Sequence, residues 1–268
     1  MGTGSQGSAA EFARRVRGRE AVLGYWVALD APPATERLAA TGYDLVVLDA
    51  QHGLIDDRAV LAGLTAVDAG ASVPGAPGAV GVVRVAANDP TPIGRALDLG
   101  AAGVIVPLVS SAAEAAGAVR AARYPPDGVR SFGPLRSGLR VGPAPAQSNA
   151  AVVVLTMVET AGGLAEVDAT AATPGLDGLF VGPNDLRLAL GAPTPDDPAF
   201  DEQLEAALVA VREACAAAGI AAGIFTTSGE EAAQRLAEGF SFVCVSGDLA
   251  HLERAARDEL AVARAALG

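Results

Sequence analysis

The chain of 268 residues contains no lysine, and all 19 of its basic residues are arginine. Catalysis through a lysine imine is therefore excluded, as are an attached pyridoxal phosphate and a P-loop, whose motif requires lysine. Positive charge is also scarce, because the formal net charge is −12 at pH 7. This charge balance argues against nucleic acid or an anionic membrane as the main partner.

Cysteine and histidine are nearly as rare, with two residues of each. Cys215 and Cys244 form no CxxC motif and lie in apolar stretches, which is typical of small core residues. A structural zinc site is therefore not expected. His251 lies on a predicted C-terminal helix and is expected to be structural, whereas His52 directly follows a predicted buried strand.

Long apolar runs are absent too. No apolar run reaches the roughly 18 uncharged residues that a membrane span requires. The first residues, MGTGSQGSAA, lack the basic start and apolar core of a signal peptide, and we expect residues 1–12 to be a disordered leader. We accordingly expect a cytoplasmic protein in which residues 13–268 form one domain.

Short apolar stretches that alternate with helical patterns predict the fold. They are rich in Val, Ile and Leu, which is typical of parallel strands buried on both faces. The predicted strands span residues 21–29, 44–49, 80–85, 103–109, 151–159, 177–182, 220–225 and 240–246. Eight such units in about 250 residues predict a (β/α)₈ TIM barrel. A doubly wound sheet is the alternative, but no GxGxxG motif follows the first strand.

Two segments interrupt this alternation. Residues 72–78 form a short predicted loop insertion, and residues 123–149 are rich in Pro and Gly and carry four arginines. A loop as long as the second is usually functional or interfacial, although a surface loop is the simpler alternative. Whether it completes the active site of a neighbouring subunit stays open at this point.

Polar residues recur where the predicted strands end, which is the active-site face of such a barrel. Glu159 and Asp185 are the candidate ligands of a divalent metal, because a cation relieves the repulsion between two neighbouring carboxylates. The alternatives are that backbone N–H groups satisfy Glu159 and that Asp185 or Asn184 caps a helix.

Arg84 and His52 complete this set. The Arg84 guanidinium is suited to clamp a carboxylate or an oxyanion, with a buried ion pair to Asp98 or another acid as the alternative. Histidine is the usual general base near neutral pH, and either Asp98 or Asp49 could orient the ring of His52. A metal, an arginine and a histidine base without lysine indicate enolate chemistry on a 2-oxo acid.

Several motifs together resemble one known family, the HpcH/HpaI-type class II 2-oxo-acid aldolases. The resemblance covers roughly residues 20–250 and depends on GYWVAL, YDLVVLDAQHG, VVRV with LDLGAAGVIVP, ARYPPDGVRSFG, MVETAGGL and GLDGLFVGPNDLRLALG. It implies a TIM barrel that assembles as a hexamer, a trimer of dimers that exchange C-terminal helices. It also implies reversible cleavage of a 4-hydroxy-2-oxo acid to pyruvate and an aldehyde, through a metal-bound enolate with Mg²⁺, Mn²⁺ or Co²⁺.

The resemblance assigns roles to individual residues. Glu159 and Asp185 match the metal ligands, Arg84 the oxyanion-stabilising arginine, and His52 the catalytic histidine with Asp98 as its dyad partner. The remaining matches are Asp49 near the metal-side water, Trp26 at the pocket mouth, and Gly182, Pro183 and Asn184 at the pyruvate carboxylate. Three positions depart from the pattern of many members, namely Gln51, Met157 and Phe225, and the last two are expected to line the substrate pocket.

Two further functions compete with the aldolase. The same metal–enolate core could serve an oxaloacetate decarboxylase or a lyase of a malyl-CoA-like thioester. A non-catalytic protein that binds pyruvate or metal is the third possibility, and the intact set of Glu, Asp, Arg and His argues against it.

Overall fold

The computed structural model describes residues 4–76 and 78–267. Eight strands lie within 1 to 3 residues of the predicted ones, namely β1 (Val22–Val27), β2 (Leu45–Asp49), β3 (Val80–Arg84), β4 (Gly103–Val106), β5 (Val153–Val158), β6 (Gly178–Val181), β7 (Ala221–Thr226) and β8 (Phe242–Gly247). They form one closed barrel in chain order, and every neighbouring pair is parallel. The predicted (β/α)₈ barrel is therefore confirmed.

The helices surround this barrel. In the first half of the chain they are α1 (Gly4–Arg17), α2 (Pro32–Ala39), α3 (Asp57–Ala71), α4 (Pro90–Asp98), α5 (Ala112–Ala122), α6 (Ser137–Arg140) and α7 (Pro145–Ala151). In the second half they are α8 (Ala161–Ala165), α9 (Val167–Ala171), α10 (Pro183–Ala189), α11 (Asp201–Ala218), α12 (Gly229–Glu238) and α13 (Asp248–Ala265), with a 3-10 helix at Pro198–Phe200. Over the described ranges, no helix is long and apolar enough to cross a membrane.

Local sequence explains where these helices begin and end. The carboxylate of Asp56 and the hydroxyl of Ser228 accept backbone N–H groups in the first turns of α3 and α12, respectively. Helix α12 stops at Gly239, whose φ of 106° belongs to the left-handed region that glycine adopts without a steric cost. Because all neighbouring strands are parallel, the carboxyl-terminal ends of all eight strands lie at one end of the barrel.

Helix α1 covers the other end of the barrel. Phe12 and Val16 are buried there, and the ring of Phe12 packs edge-on against Phe242 of β8 with 6.2 Å between centroids. The structure therefore differs from the disordered leader expected over residues 1–12, since its helix begins at Gly4. Residues 1–3 lie outside the described residues. The apolar side chains of this helix are spaced to close the barrel, which composition alone did not indicate.

Two ion pairs fasten α1 to the barrel. Arg15 donates to Asp44 at 2.6 Å, just before β2, and Arg17 donates to Asp177 at 2.6 Å, just before β6. Asp177 is buried and also accepts from Arg123 at 3.1 Å. The closed end is therefore held by charge as well as by packing.

The long loop at residues 123–149 is ordered by its arginines and contains α6 and α7. Arg130 bonds Asp98 at 2.6 Å and lies over the ring of Tyr124, while Arg136 bonds Asp68. Four of its apolar side chains nevertheless face solvent, namely Val129, Phe132, Leu135 and Leu139, whereas Tyr124 and Val141 are buried. In the shorter loop at residues 72–78, Pro77 lies outside the described residues.

Helix α13 is attached to the barrel mainly through its first turn. The two carboxylate oxygens of Asp248 accept the backbone N–H groups of Ala28 and Leu29, each at 3.0 Å. His251 lies 2.7 Å from the Tyr25 hydroxyl, so its expected structural role is confirmed. No residue between Asp248 and Ala265 is buried, and the exposed apolar residues of the helix include Leu252 and Val262.

Candidate active site

A pocket of about 180 Å³ opens at the carboxyl-terminal ends of the strands. Its walls are formed by Trp26, His52, Arg84, Met157, Phe180, Gly182, Pro183, Asn184, Asp185 and Phe225. Apart from Phe180, every one of these residues is a predicted site residue. The structure therefore brings together residues from six strands or the loops that follow them, while their chemical roles stay predictions.

Asp49 and Arg84 end the neighbouring strands β2 and β3, and they form a buried ion pair. The guanidinium donates from Nε to Oδ1 of Asp49 at 2.8 Å and from a terminal nitrogen to Oδ2. Asp49 also accepts from Trp26 Nε1 at 3.2 Å and from the backbone N–H groups of Gln51 and His52 at 3.0 and 3.1 Å. The carboxylate thus fixes the guanidinium, the indole and the turn that carries His52.

These contacts change the interpretation of Asp49. Burial raises the pKa of its carboxyl group, but the hydrogen bonds and charge of Arg84, together with the other donors, outweigh burial and leave the pKa below its ordinary value. Among the described residues that line the pocket, Asp49 is absent. Asp49 thus lies behind Arg84, and both of its oxygens accept hydrogen bonds from protein donors, while its predicted place near a metal-side water stays a prediction.

Arg84 itself reaches the pocket. Two of its N–H groups bond Asp49, and a guanidinium has five, so three remain for a ligand. Its Cζ lies 4.9 Å from the centroid of the Trp26 ring. Arg84 thus forms its buried ion pair with Asp49 and not with Asp98.

Glu159 directly follows β5 and is only 3% exposed. Its Oε1 accepts the backbone N–H of Leu108 at 2.6 Å. Burial raises the pKa of its carboxyl group, and the negative charge of Asp185 adds to the rise, while the Leu108 N–H, Arg84 and His52 lower it. A buried carboxyl group beside a second carboxylate is an arrangement that a cation would stabilise.

Asp185 lies in the first turn of α10 and is exposed to the pocket. The helix starts with Gly182 as its N-cap residue and without a side-chain cap, so the alternative of an Asp185 or Asn184 cap is not realised. A Cβ at Gly182 would lie 2.9 Å from Oε2 of Glu159, so the missing side chain of glycine provides the space that this oxygen occupies. Over residues 4–76 and 78–267, no group of three or more His, Cys, Asp or Glu side chains is arranged around a metal position.

His52 and Asp98 do not meet within one chain. His52 follows β2 at the open end of the barrel, whereas Asp98 is the last residue of α4, which runs back toward the closed end. Asp98 instead accepts from Arg130 at 2.6 Å. Within the single chain the two residues therefore lie apart, and the predicted dyad stays a prediction. Among the hydrogen bonds of the described residues, none reaches the His52 ring.

Aromatic rings form the apolar wall of the pocket. Trp26 stacks on Phe180 with 5.8 Å between centroids and meets Phe225 edge-on at 5.6 Å. Phe180 is a site residue that the sequence-based prediction missed. Its position gave a signal, since residues two apart on a strand face the same side and Gly182 was already a candidate. Cys215 and Cys244 are free and buried outside the pocket, as predicted.

Comparison with known proteins agrees with this geometry. The model of the HpcH/HpaI aldolase/citrate lyase family matches residues 22–255. A hydroxypyruvate/pyruvate aldolase of Rhizorhabdus wittichii is 44% identical over 250 residues, which cover 92% of this chain and 96% of that protein. A 5-keto-4-deoxy-D-glucarate aldolase of Salmonella paratyphi C is 35% identical over 89% of this chain and 91% of that protein.

A solved structure extends the likeness to three dimensions. The crystal structure of an HpcH/HpaI aldolase/citrate lyase family protein from Burkholderia cenocepacia J2315 aligns with a TM-score of 0.86 and 36% identity. The alignment covers 95% of this chain and 99% of that one. The relatives are therefore similar along nearly their whole length, including every strand of the barrel.

The fold and the pocket define a (β/α)₈-barrel enzyme whose pocket is lined by Arg84, His52 and Asp185, with the carboxylate of Glu159 beside the lining residue Gly182. The chain belongs to the HpcH/HpaI aldolase/citrate lyase family. With aldolases at 35–44% identity over most of its length, it is a carbon–carbon lyase of the aldolase type.

Proposed function

We propose that the enzyme reversibly cleaves a 4-hydroxy-2-oxo acid to pyruvate and an aldehyde with the help of a divalent metal ion. The observation that carries this proposal is the convergence of Arg84, His52 and Asp185 at one small pocket, with the buried Glu159 directly beside the lining residue Gly182. The aldolase relatives support the reaction class. The absence of lysine supports a route that forms no imine.

Glu159 and Asp185 fit a catalytic Mg²⁺, Mn²⁺ or Co²⁺. Both supply carboxylate oxygens, the burial of Glu159 disfavours its uncompensated charge, and Gly182 leaves its Oε2 accessible. Only two protein ligands leave coordination positions for substrate and water, as a catalytic site needs. When bound, the ion would supply positive charge that polarises the carbonyl group of the 2-oxo acid.

The chain's own residues would carry out the remaining steps. His52 accepts the proton of the C4 hydroxyl group while the bond between C3 and C4 breaks, which releases the aldehyde and leaves the enolate of pyruvate. The three free N–H groups of Arg84 stabilise the enolate oxygen, and Asp49 holds them in place. His52 then returns this proton to C3 of the enolate, which completes pyruvate and restores the neutral base.

The substrate carboxylate would lie at the start of α10. The backbone N–H groups of Asn184 and Asp185 belong to the first helical turn, where they have no partner within the helix. Trp26, Met157 and Phe225 form an apolar wall that would face the aldehyde part and exclude water. Phe225 and Met157 would therefore set which aldehydes are accepted.

Hydroxypyruvate is the second candidate donor. Relatives from Rhizorhabdus wittichii and Pseudomonas aeruginosa carry this substrate in their names at 44% and 38% identity. The two donors differ by one hydroxyl group on C3. Aldol synthesis with the same aldehyde and either donor would rank them.

We also propose that the protein assembles through its terminal helix, as a hexamer with exchanged C-terminal helices. The support is that no residue of α13 is buried against its own barrel, while Leu249, Leu252, Leu260 and Val262 are exposed on it. The molar mass in light scattering would test this. A chain cut after Gly247 that keeps the same oligomeric state would contradict it.

The central experiment measures pyruvate release from 4-hydroxy-2-oxo acids with lactate dehydrogenase as the coupling enzyme. We expect EDTA to abolish activity and Mg²⁺, Mn²⁺ or Co²⁺ to restore it. Glu159→Gln should not be restored, and Arg84→Ala should lower turnover by about 10²-fold or more. The matched control is Arg95→Ala, an exposed arginine outside the pocket.

Full activity of the metal-stripped protein would contradict the proposal. Activity on oxaloacetate or malyl-CoA alone would favour the decarboxylase or thioester lyase instead. Metal binding without turnover of any substrate would indicate a non-catalytic protein.

A further inference from the structure

Leu108 has an unusual backbone conformation at the active-site end of the barrel. It follows β4 with a φ of 55°, in the left-handed region that bulky side chains rarely adopt. Its side chain is 58% exposed, so packing within the chain does not explain the conformation. Non-glycine residues in such conformations cluster where function requires them.

The backbone N–H of Leu108 supplies the explanation. It donates to Oε1 of Glu159 at 2.6 Å, across from β4 to the end of β5. The same two loops are joined a few residues further on, where the hydroxyl groups of Ser110 and Thr160 lie 2.8 Å apart. The loop after β4 is therefore anchored on both sides of its contact with the carboxylate.

The hydrogen bond from Leu108 makes the two carboxylate oxygens of Glu159 inequivalent. Oε1 is occupied by Leu108, whereas Oε2 stands beside Gly182 and has no hydrogen-bond partner among the described residues. Gly182 begins the helix that carries Asp185. The rotation of the carboxylate is thus fixed so that one oxygen remains for a ligand on the side of Asp185.

We propose that Leu108 is a positioning residue whose left-handed backbone, rather than its side chain, holds Glu159 ready for the metal ion. This inference rests on the proposed function, in which Glu159 is a metal ligand. Groups that orient metal ligands through hydrogen bonds typically change metal affinity by about 10- to 100-fold when they are lost. The apolar side chain of Leu108 has no part in this effect.

The test compares four substitutions and measures Mn²⁺ binding directly, by the electron paramagnetic resonance signal of free Mn²⁺. Leu108→Gly and Leu108→Asn tolerate the left-handed conformation, whereas Leu108→Ala tolerates it less well and Leu108→Val least. We expect the Kd for Mn²⁺ to stay within about threefold of the wild type for Gly and Asn and to rise about tenfold or more for Val. The Kd of Leu108→Ala should lie between these values.

The comparison of Leu108→Gly with Leu108→Ala is decisive, because both variants remove the leucine side chain and differ from each other by one methyl group. Equal Kd values for Gly and Ala, or a weaker affinity for Gly than for Val, would overturn the proposal in favour of a side-chain role. The comparison of Gly with Ala also stands if Leu108→Val fails to fold. If the wild-type protein binds no Mn²⁺, the proposed function fails instead.

Arg19 provides the matched control. Its φ of 54° is nearly the same, but it lies after α1 at the closed end of the barrel. Arg19→Val should lower thermal stability through the same backbone strain and leave the Kd for Mn²⁺ unchanged. A rise in that Kd as large as the one for Leu108→Val would show that the effect comes from general destabilisation, and the proposal would fall.

Discussion

Removing the carboxylate of Asp49 should cost a large part of the protein's stability. In Asp49→Asn, the guanidinium of Arg84 stays 8% exposed but loses its counter-charge. Breaking a buried ion pair in this way costs about 3–5 kcal/mol. The amide oxygen of Asn can still accept the N–H groups of Gln51 and His52, so we expect a free energy of unfolding lower by about 3 kcal/mol, near the lower end of that range.

The pH dependence of this loss follows from the pKa of Asp49. Although burial raises that pKa, Arg84 and the other donors lower it below its ordinary value in the folded protein. A carboxyl group of this kind adds stability that is fully present above its unfolded pKa of about 3.9 and is lost as the pH falls through the folded pKa. The difference between wild type and Asp49→Asn should therefore be constant above about pH 5 and shrink below about pH 4.

Urea unfolding followed by circular dichroism between pH 7 and pH 3 would measure both effects. Asp57→Asn is the matched control, because its pair with Arg95 at 3.0 Å is exposed, with side chains 64% and 50% accessible. We expect that control to change the free energy of unfolding by less than about 1 kcal/mol. If Asp49→Asn is no more destabilising than the control, or if its effect persists undiminished at pH 3, the charge of Asp49 does not stabilise the folded protein through Arg84.

Three further predictions concern packing and specificity. Phe225→Ala should open the apolar wall beside Trp26 and raise kcat/KM for a longer aldehyde relative to a shorter one by about tenfold, in parallel assays of aldol synthesis. Phe12→Ala should lower the free energy of unfolding by about 3–5 kcal/mol in urea, because a buried aromatic side chain is removed from the closed end of the barrel. Tyr25→Phe should lower it by about 1 kcal/mol, since the hydrogen bond to His251 is lost, and an unchanged thermal midpoint would contradict this.

The strands could be predicted because their sequence signal is local. A parallel strand inside a barrel is buried on both faces, so β2 appears as an apolar run that ends in Asp49. Strand β5 appears as an apolar run, interrupted only by Thr156, that ends just before Glu159. The same logic located most of the pocket, since the ends of parallel strands face one side. The predicted and observed strands differ only at their ends, as in β4, which stops at Val106 and not at residue 109.

Sequence patterns say less where the answer depends on direction or on distant packing. The motif places Asp98 beside His52, whereas within the single chain α4 carries Asp98 away from the open end and Arg130 binds it, so the dyad stays a prediction. Helix α1 was missed because Phe242, on which the ring of Phe12 packs, lies more than 200 positions away on β8. The role of Leu108 was not visible at all, since no sequence pattern marks leucine for a left-handed conformation.

The attachment of α13 ties the end of the chain to the substrate pocket. Asp248 holds the backbone N–H groups of Ala28 and Leu29, which follow the strand that carries Trp26. Two hydrogen bonds therefore join the carboxyl-terminal helix to the segment that directly follows one wall of the pocket. We expect that a fusion partner or a truncation at this terminus will change substrate preference, and assays with several substrates beside a measurement of thermal stability would detect it.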